Sequence, residues 1–207
     1  MALFCFMTTV AQPAAGPDVA LVPETYSFTW AYDLSVELDG QKLEMTYHIE
    51  PGATYYGYSM KVLPGILSVT DVGRDLTFKT FGKTAKLSTL DQKPDKKQNV
   101  TTHRYTRLPD KMILGYKCIG LKAETDSEEA TIYFTNEAEA SYPELYKQLR
   151  VHHLVISLAD YGFTDKSLLM ISDVKLKKKD GHAIITCTRF EKEPMVFSKS
   201  DYSWTAH

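Results

Sequence analysis

Hydrophobic and polar residues alternate along most of this chain with a period of two. Between Tyr26 and Leu38 the alternation is continuous: Phe28, Trp30, Tyr32, Leu34, Val36 and Leu38 fall on one side, Thr29, Ala31, Asp33, Ser35 and Glu37 on the other. That is the pattern of a long strand with one buried face. Asp39-Gly40 supplies the positive φ values that a tight hairpin turn requires. Residues 41–50 then resume the alternation, with Leu43, Met45, Tyr47 and Ile49 opposite Lys42, Glu44, Thr46 and His48. Pro51-Gly52 ends that strand, and the next one places Tyr56, Tyr58, Met60 and Val62 on one face. Pro64-Gly65, Gly73-Arg74 and Gly82-Lys83 punctuate further short strands at the spacing of an antiparallel meander.

The second half continues in the same way until the period changes. Residues 91–99, polar and interrupted by a proline, read as a solvated loop, and Asn99-Val100-Thr101 has the form of a glycosylation sequon. Residues 100–108 and the apolar run KMILGYKCIGLKA, residues 111–123, are expected to pair through a turn at Pro109-Asp110. In that run Leu114, Tyr116, Cys118 and Gly120 alternate with Ile113, Lys117, Ile119 and Leu121, so both faces are apolar, as in a central strand. Gly115 and Gly120 leave room for close packing or for a bend. From Asn136 the period becomes helical: Asn136 caps, Glu139 sits at the capping-box position, and Tyr142, Leu145, Tyr146, Leu149, His152, His153 and Ile156 recur every three or four residues. Residues 168–176, a hairpin at Asp180-Gly181 and two closing strands complete the chain.

The elements add up to a mainly β (α+β) fold of about ten or eleven strands and one main helix. No βαβ alternation occurs, so the sheet is expected to be antiparallel. A helix of roughly twenty residues spans about 30 Å and cannot cover ten strands. The apolar face must therefore close on itself, either as a barrel or as a curled half-barrel with the helix across its concave side, and the half-barrel is the expected fold. A concave aromatic interior is a common setting for a ligand, and the candidate lining residues are Trp30, Tyr32, Tyr56, Tyr58, Tyr116, Cys118, Tyr142 and Tyr146. The competing reading of these side chains is a filled core, the ordinary place for aromatic residues.

Composition narrows the address and the chemistry. With 207 residues, 43% of them hydrophobic, the chain can bury one substantial core, placed at residues 24–207. A formal net charge of -2 gives no field for nucleic acid or another polyanion. Residues 1–11 carry no charge and read either as the remnant of a signal peptide, implying a periplasmic or secreted protein, or as an apolar first strand. Residues 12–23, rich in Pro and Ala, read as a flexible tail. No stretch has the length of a transmembrane helix. Cys118 and Cys187 are left either as a disulfide pair or as buried thiols. The histidines form no HxH or HExxH pair, and neither a G-x-S-x-G elbow nor a glycine-rich phosphate loop is present. No metal, cofactor or catalytic residue is therefore assigned. A hydrolase would need a histidine and a carboxylate converging on Cys118 or on a serine.

The run ILGYKC at residues 113–118, followed by a strand, the segment YPELYKQL at 142–149 and the closing DYSW at 201–204, resembles uncharacterised secreted proteins of Bacteroidetes-type bacteria in which a GYKC-like stretch recurs. Those proteins look like the lipoprotein-carrier (LolA/LolB-like) half-barrel group. The resemblance spans roughly residues 24–204 and implies a curled sheet and covering helix around an apolar cavity. The function it implies is a carrier that is not an enzyme and binds a lipid, an acyl chain or another apolar ligand. The alternative is an interaction module of the cell envelope that holds a protein partner through a sheet edge or an aromatic patch.

Overall fold

The computed structural model describes residues 18–89, 104–138, 159–164, 166–177 and 181–206. The expected leader at 1–11, the loop at 91–99 with Asn99, and the helical positions that include Tyr142 and Tyr146 lie outside the described residues. The strands are β1 (Thr25–Leu38), β2 (Gln41–Ile49), β3 (Tyr55–Met60), β4 (Leu67–Asp71), β5 (Leu76–Phe81), β6 (Thr84–Thr89), β7 (Arg104–Ile113), β8 (Tyr116–Glu124), β9 (Glu128–Thr135), β10 (Leu168–Leu176), β11 (His182–Ser198) and β12 (Ser203–Ala206). They form one open, curled sheet in the order β12-β6-β5-β4-β3-β2-β1-β11-β10-β9-β8-β7.

The described residues contain twelve strands, where about ten or eleven were expected, and one pairing is not antiparallel. β12 runs parallel to β6, with Trp204 opposite Ala85. Two meanders, β1 to β6 and β7 to β11, are joined where β1 pairs with β11, Thr25 opposite Ser198 and Leu38 opposite Ala183. β11 stays one strand over its whole length because two irregularities in that ladder, between Phe28 and Trp30 and between Asp33 and Leu34, absorb the extra residues.

The first of these irregularities changes how β1 is used. Its even-numbered residues form one alternating set in the sequence, but Trp30, Tyr32 and Leu34 belong to a central cluster while Tyr26 and Phe28 belong to another. The expected single buried face of β1 is thus two buried segments. The switch sits at the irregularity, where a strand bends and twists most.

A second switch occurs across the sheet. One cross-strand row reads Ala31, His48, Gly57, Val69, Phe78 and Leu87, from β1 to β6. Its β4–β6 members Val69, Phe78 and Leu87 are buried and pack with Val22, Tyr26, Phe28 and Phe197. The neighbouring positions on the same face of β1 and β2 are polar: Asp33 accepts from Thr46 at 2.6 Å and from the Arg189 guanidinium at 2.7 Å. On the opposite face the order is reversed, apolar on β1 to β3 and polar on β4 to β6. The apolar side of the sheet therefore changes between β3 and β4.

The run at 111–123 also folds differently from its reading as one strand. Its first residues end β7, Leu114 and Gly115 make the hairpin turn with φ of 50° and 82°, and β8 begins at Tyr116. Pro109-Asp110, expected to be the turn, lies inside β7 where the ladder shifts between Leu108 and Lys111. A proline cannot donate to a ladder and is accommodated at such a bulge. Gly120 faces it: a Cβ there would stand 2.5 Å from the Tyr133 ring and 3.1 Å from the Pro109 carbonyl oxygen. Only glycine lets the bulge and the ring approach this closely.

Candidate functional site

The candidates within the described residues come together. Trp30, Tyr32, Tyr56 and Cys118 are buried members of the central cluster, and Tyr58 and Tyr116 pack against it half-buried. Trp30 lies flat on Phe190, ring centroids 4.7 Å apart and planes 4° apart, and the Lys192 ammonium stands over the Trp30 ring, 5.1 Å from its centroid. Tyr116 meets Phe190 edge-on at 5.9 Å. The Tyr32 hydroxyl donates to the Leu169 carbonyl, which ties β1 to β10 across the curl.

These contacts follow from register. A single row crosses seven strands: Phe190 on β11, Tyr32 on β1, Tyr47 on β2, Tyr58 on β3, Ser68 on β4, Lys79 on β5 and Lys86 on β6. It begins aromatic and buried and ends cationic and exposed. Tyr47 is 6.4 Å from Tyr32 and 5.8 Å from Tyr58 between ring centroids, so the rings are contiguous. Burial, reinforced by Tyr58, pushes the Tyr47 hydroxyl up to about 12, and it stays protonated and neutral across the physiological range.

Where the row passes from Tyr58 to Lys79 the surface opens into a groove of about 120 Å³. Tyr58, Met60, Leu63, Ile66 and Phe81 make its apolar walls, and Ser68 and Lys79 are polar members. Sequence reasoning found Tyr58 and missed the others. For Lys79 and Phe81 alone a signal was present, in residues 76–90, which contain three lysines and no carboxylate. A volume of this size is below the roughly 300–1,000 Å³ of pockets that enclose a whole small molecule. It suits a segment of a chain.

Nucleophilic chemistry is not supported at the cysteines. Cys118 and Cys187 are free thiols, not a disulfide, and both are buried. Burial pushes Cys118 up to about 11 and Cys187 up to about 12, the reverse of what a thiolate nucleophile needs. The Cys118 thiol donates to the Tyr116 carbonyl at 3.4 Å and the Cys187 thiol to the Arg189 carbonyl at 3.5 Å. Among the described residues, the nearest thing to a serine–histidine pair is Ser59 Oγ with His48 Nε2 at 3.5 Å. The other ring nitrogen of His48, Nδ1, is buried without a hydrogen-bond partner, so no carboxylate orients the imidazole as a base requires. Among the described residues no three His, Cys, Asp or Glu side chains are grouped as metal ligands. No helix among them is long and apolar enough to cross a membrane.

No family model matches the chain, and none of the curated proteins is similar to it in sequence. Several solved structures are similar in shape. A structure of PNGF-II has TM-score 0.41 and 10% identity over 86% of this chain, which spans only 30% of that protein's length. An uncharacterized conserved protein from Thermus thermophilus has TM-score 0.44 and 8% identity over 80% of this chain and 79% of that one. A putative outer membrane lipoprotein-sorting protein domain from Vibrio parahaemolyticus has TM-score 0.32 and 6% identity over 80% of this chain and 86% of that one. These likenesses are loose, and the reading of the site rests on its own geometry.

Proposed function

We propose that this chain is a carrier-like protein of the cell envelope, periplasmic or secreted and not an enzyme, that holds an apolar segment of a lipid or other amphiphile in the groove between Tyr58 and Phe81. The observation that carries this reading is the row from Phe190 to Lys86, which turns from aromatic to cationic at the groove. Tyr58, Met60, Leu63 and Ile66 offer dry contact for methylenes, each worth about 0.8 kcal/mol when buried. Lys79, exposed at the end of the groove, faces the ligand's anionic or polar end. Tyr32 and Tyr56 pack against Tyr47, each with ring centroids 6.4 Å away, and Trp30, Tyr116 and Cys118 belong to the same packed cluster without lining the groove. The other class of partner, a protein strand added to the sheet edge, is less well served. Of the two edge strands, β12 is only four residues long, and β7 carries Pro109, a ladder irregularity and the exposed Arg104, Arg107 and Lys111, features that guard an edge against pairing.

The test is titration with a fluorescent fatty acid, combined with native mass spectrometry of protein exposed to a lipid extract. Saturable binding at one equivalent, weakened by Tyr58→Ala and by Ile66→Ser, supports the carrier reading. An unliganded mass with no saturable probe signal sinks it and turns the search to protein partners.

A further inference from the structure

The β5–β6 hairpin presents an arrangement that ligand holding does not require. Lys79 and Lys86 stand directly opposite one another across the ladder, a like-charge pairing that works against the hairpin. Lys83, in the turn between them, is exposed as well. None of the three makes an ion pair among the described residues, whereas Lys42 and Lys61, on the neighbouring β2 and β3–β4 turn, are both paired with Glu44, at 2.9 Å and 2.6 Å. Asp201, brought near by the bond from the Ser203 amide to the Lys83 carbonyl, is exposed and pairs with none of them. Beside the lysines project apolar side chains at the tips of two adjacent turns: Val62 is 63% exposed, Phe81 47% and Leu63 44%. Leu63 and Phe81 flank the same groove, so the two turns lie side by side.

We propose that this end of the sheet docks on an anionic lipid bilayer, the three lysines meeting headgroup phosphates while Val62, Leu63 and Phe81 enter the headgroup–acyl boundary. Uncompensated lysines next to protruding apolar side chains are what such a surface attracts. A protein partner fits less well, because a few side chains on turn tips fall far short of the roughly 800 Å² that each side of a stable protein interface buries. The overall charge of -2 opposes approach to an anionic surface, so attraction has to be local, and residues 76–90 carry three lysines and no acid.

The test is sedimentation of the full chain with vesicles of phosphatidylglycerol and phosphatidylcholine in equal parts, against vesicles of phosphatidylcholine alone. Binding to the anionic vesicles only, lost at high salt, is expected. K83E, a change of two charge units, should weaken it roughly tenfold, and Val62→Ser should weaken it further. These residues do not line the groove, so fatty-acid titration of the same variants should be unchanged. That separates failure of docking from failure of the carrier reading. Placed at position 81, a tryptophan (F81W) should shift its emission to the blue on anionic vesicles, and it reports insertion even if K83E folds poorly. Equal binding to both vesicle types, as insertion of the apolar residues 1–11 would give, overturns the proposal. So does binding indifferent to K83E, and so does no binding at all.

Discussion

Two regions of the sheet use the same residue types to opposite ends. Around Tyr26 the aromatic side chains are enclosed: Tyr26, Phe28, Phe78 and Phe197 are all nearly inaccessible, and the Trp204 ring closes over Phe78 at 5.1 Å. The polar end of Tyr26 is answered from within, since its hydroxyl donates to Asp71 at 3.0 Å and Arg74 neutralises the same carboxylate at 2.9 Å. Around Tyr58 the rings are also contiguous, but they lead outward to a groove and to lysines that no described carboxylate balances. Aromatic content alone does not mark a site. What separates the two regions is whether the polar groups next to the rings are matched by the protein itself.

The sharpest way to break this contrast is Tyr26→Ala. If the first region is structural, urea denaturation should show a loss of about 3–5 kcal/mol, the range for truncating a buried aromatic residue. A loss below about 1 kcal/mol would mean the enclosed region is not a core. Asp71→Ala should cost less, about 1–3 kcal/mol, by leaving the Tyr26 hydroxyl and the Arg74 charge without their acceptor. Tyr58→Ala tests the second region from the other side. Stability should fall by only about 1 kcal/mol while affinity for a fatty-acid probe drops roughly tenfold, and the reverse ordering would assign Tyr58 to the core.

Leu114→Gly, in neither region, calibrates the scale. Leu114 holds a φ of 50° at an exposed turn, where glycine carries no steric penalty. The substitution should be neutral to stabilising by up to about 1 kcal/mol, as read by thermal melting. The smallest effect is one of pH. His48 packs on Phe28 with ring centroids 6.0 Å apart, and burial holds its imidazole below the ordinary histidine range, against the pull of Glu193 and Asp33. In the unfolded chain it takes up a proton at higher pH than in the folded one. Stability should therefore fall as pH drops below about 6.5, and His48→Gln should flatten that slope in urea titrations between neutral and mildly acidic pH.

Much of the strand pattern was legible because it depends on neighbours in the chain. Asp39-Gly40 turns with φ of 49° and 81°, as its residue types require, and β2 and β3 carry Tyr47 and Tyr58 on the face that alternation assigns to them. What alternation cannot supply is which faces of different strands share a core. Phe28 and Trp30 look equivalent in the sequence, yet a ladder irregularity sends them to separate clusters, and that depends on β11, far away in the chain. Pro109-Asp110 has the composition of a turn but sits in a bulge, while the true turn contains Leu114, a residue type disfavoured at positive φ. Of the site, Tyr58 was legible as an aromatic position. Lys79 and Phe81 became part of it only through the register that sets β3, β4 and β5 side by side.

The pairing of Thr25 with Ser198 also constrains the order of assembly. The first meander can form locally, but the outer edge of β1 has no partner until β11 arrives, after all the strands between them in the chain. Until then the unfinished sheet displays unsatisfied backbone groups next to Trp30 and Tyr32, a template for association with other chains. Closing contacts this distant in sequence is slow. The route to the native state should thus be sensitive to protein concentration, with refolding yield falling as the chain becomes more abundant even where the finished fold is stable.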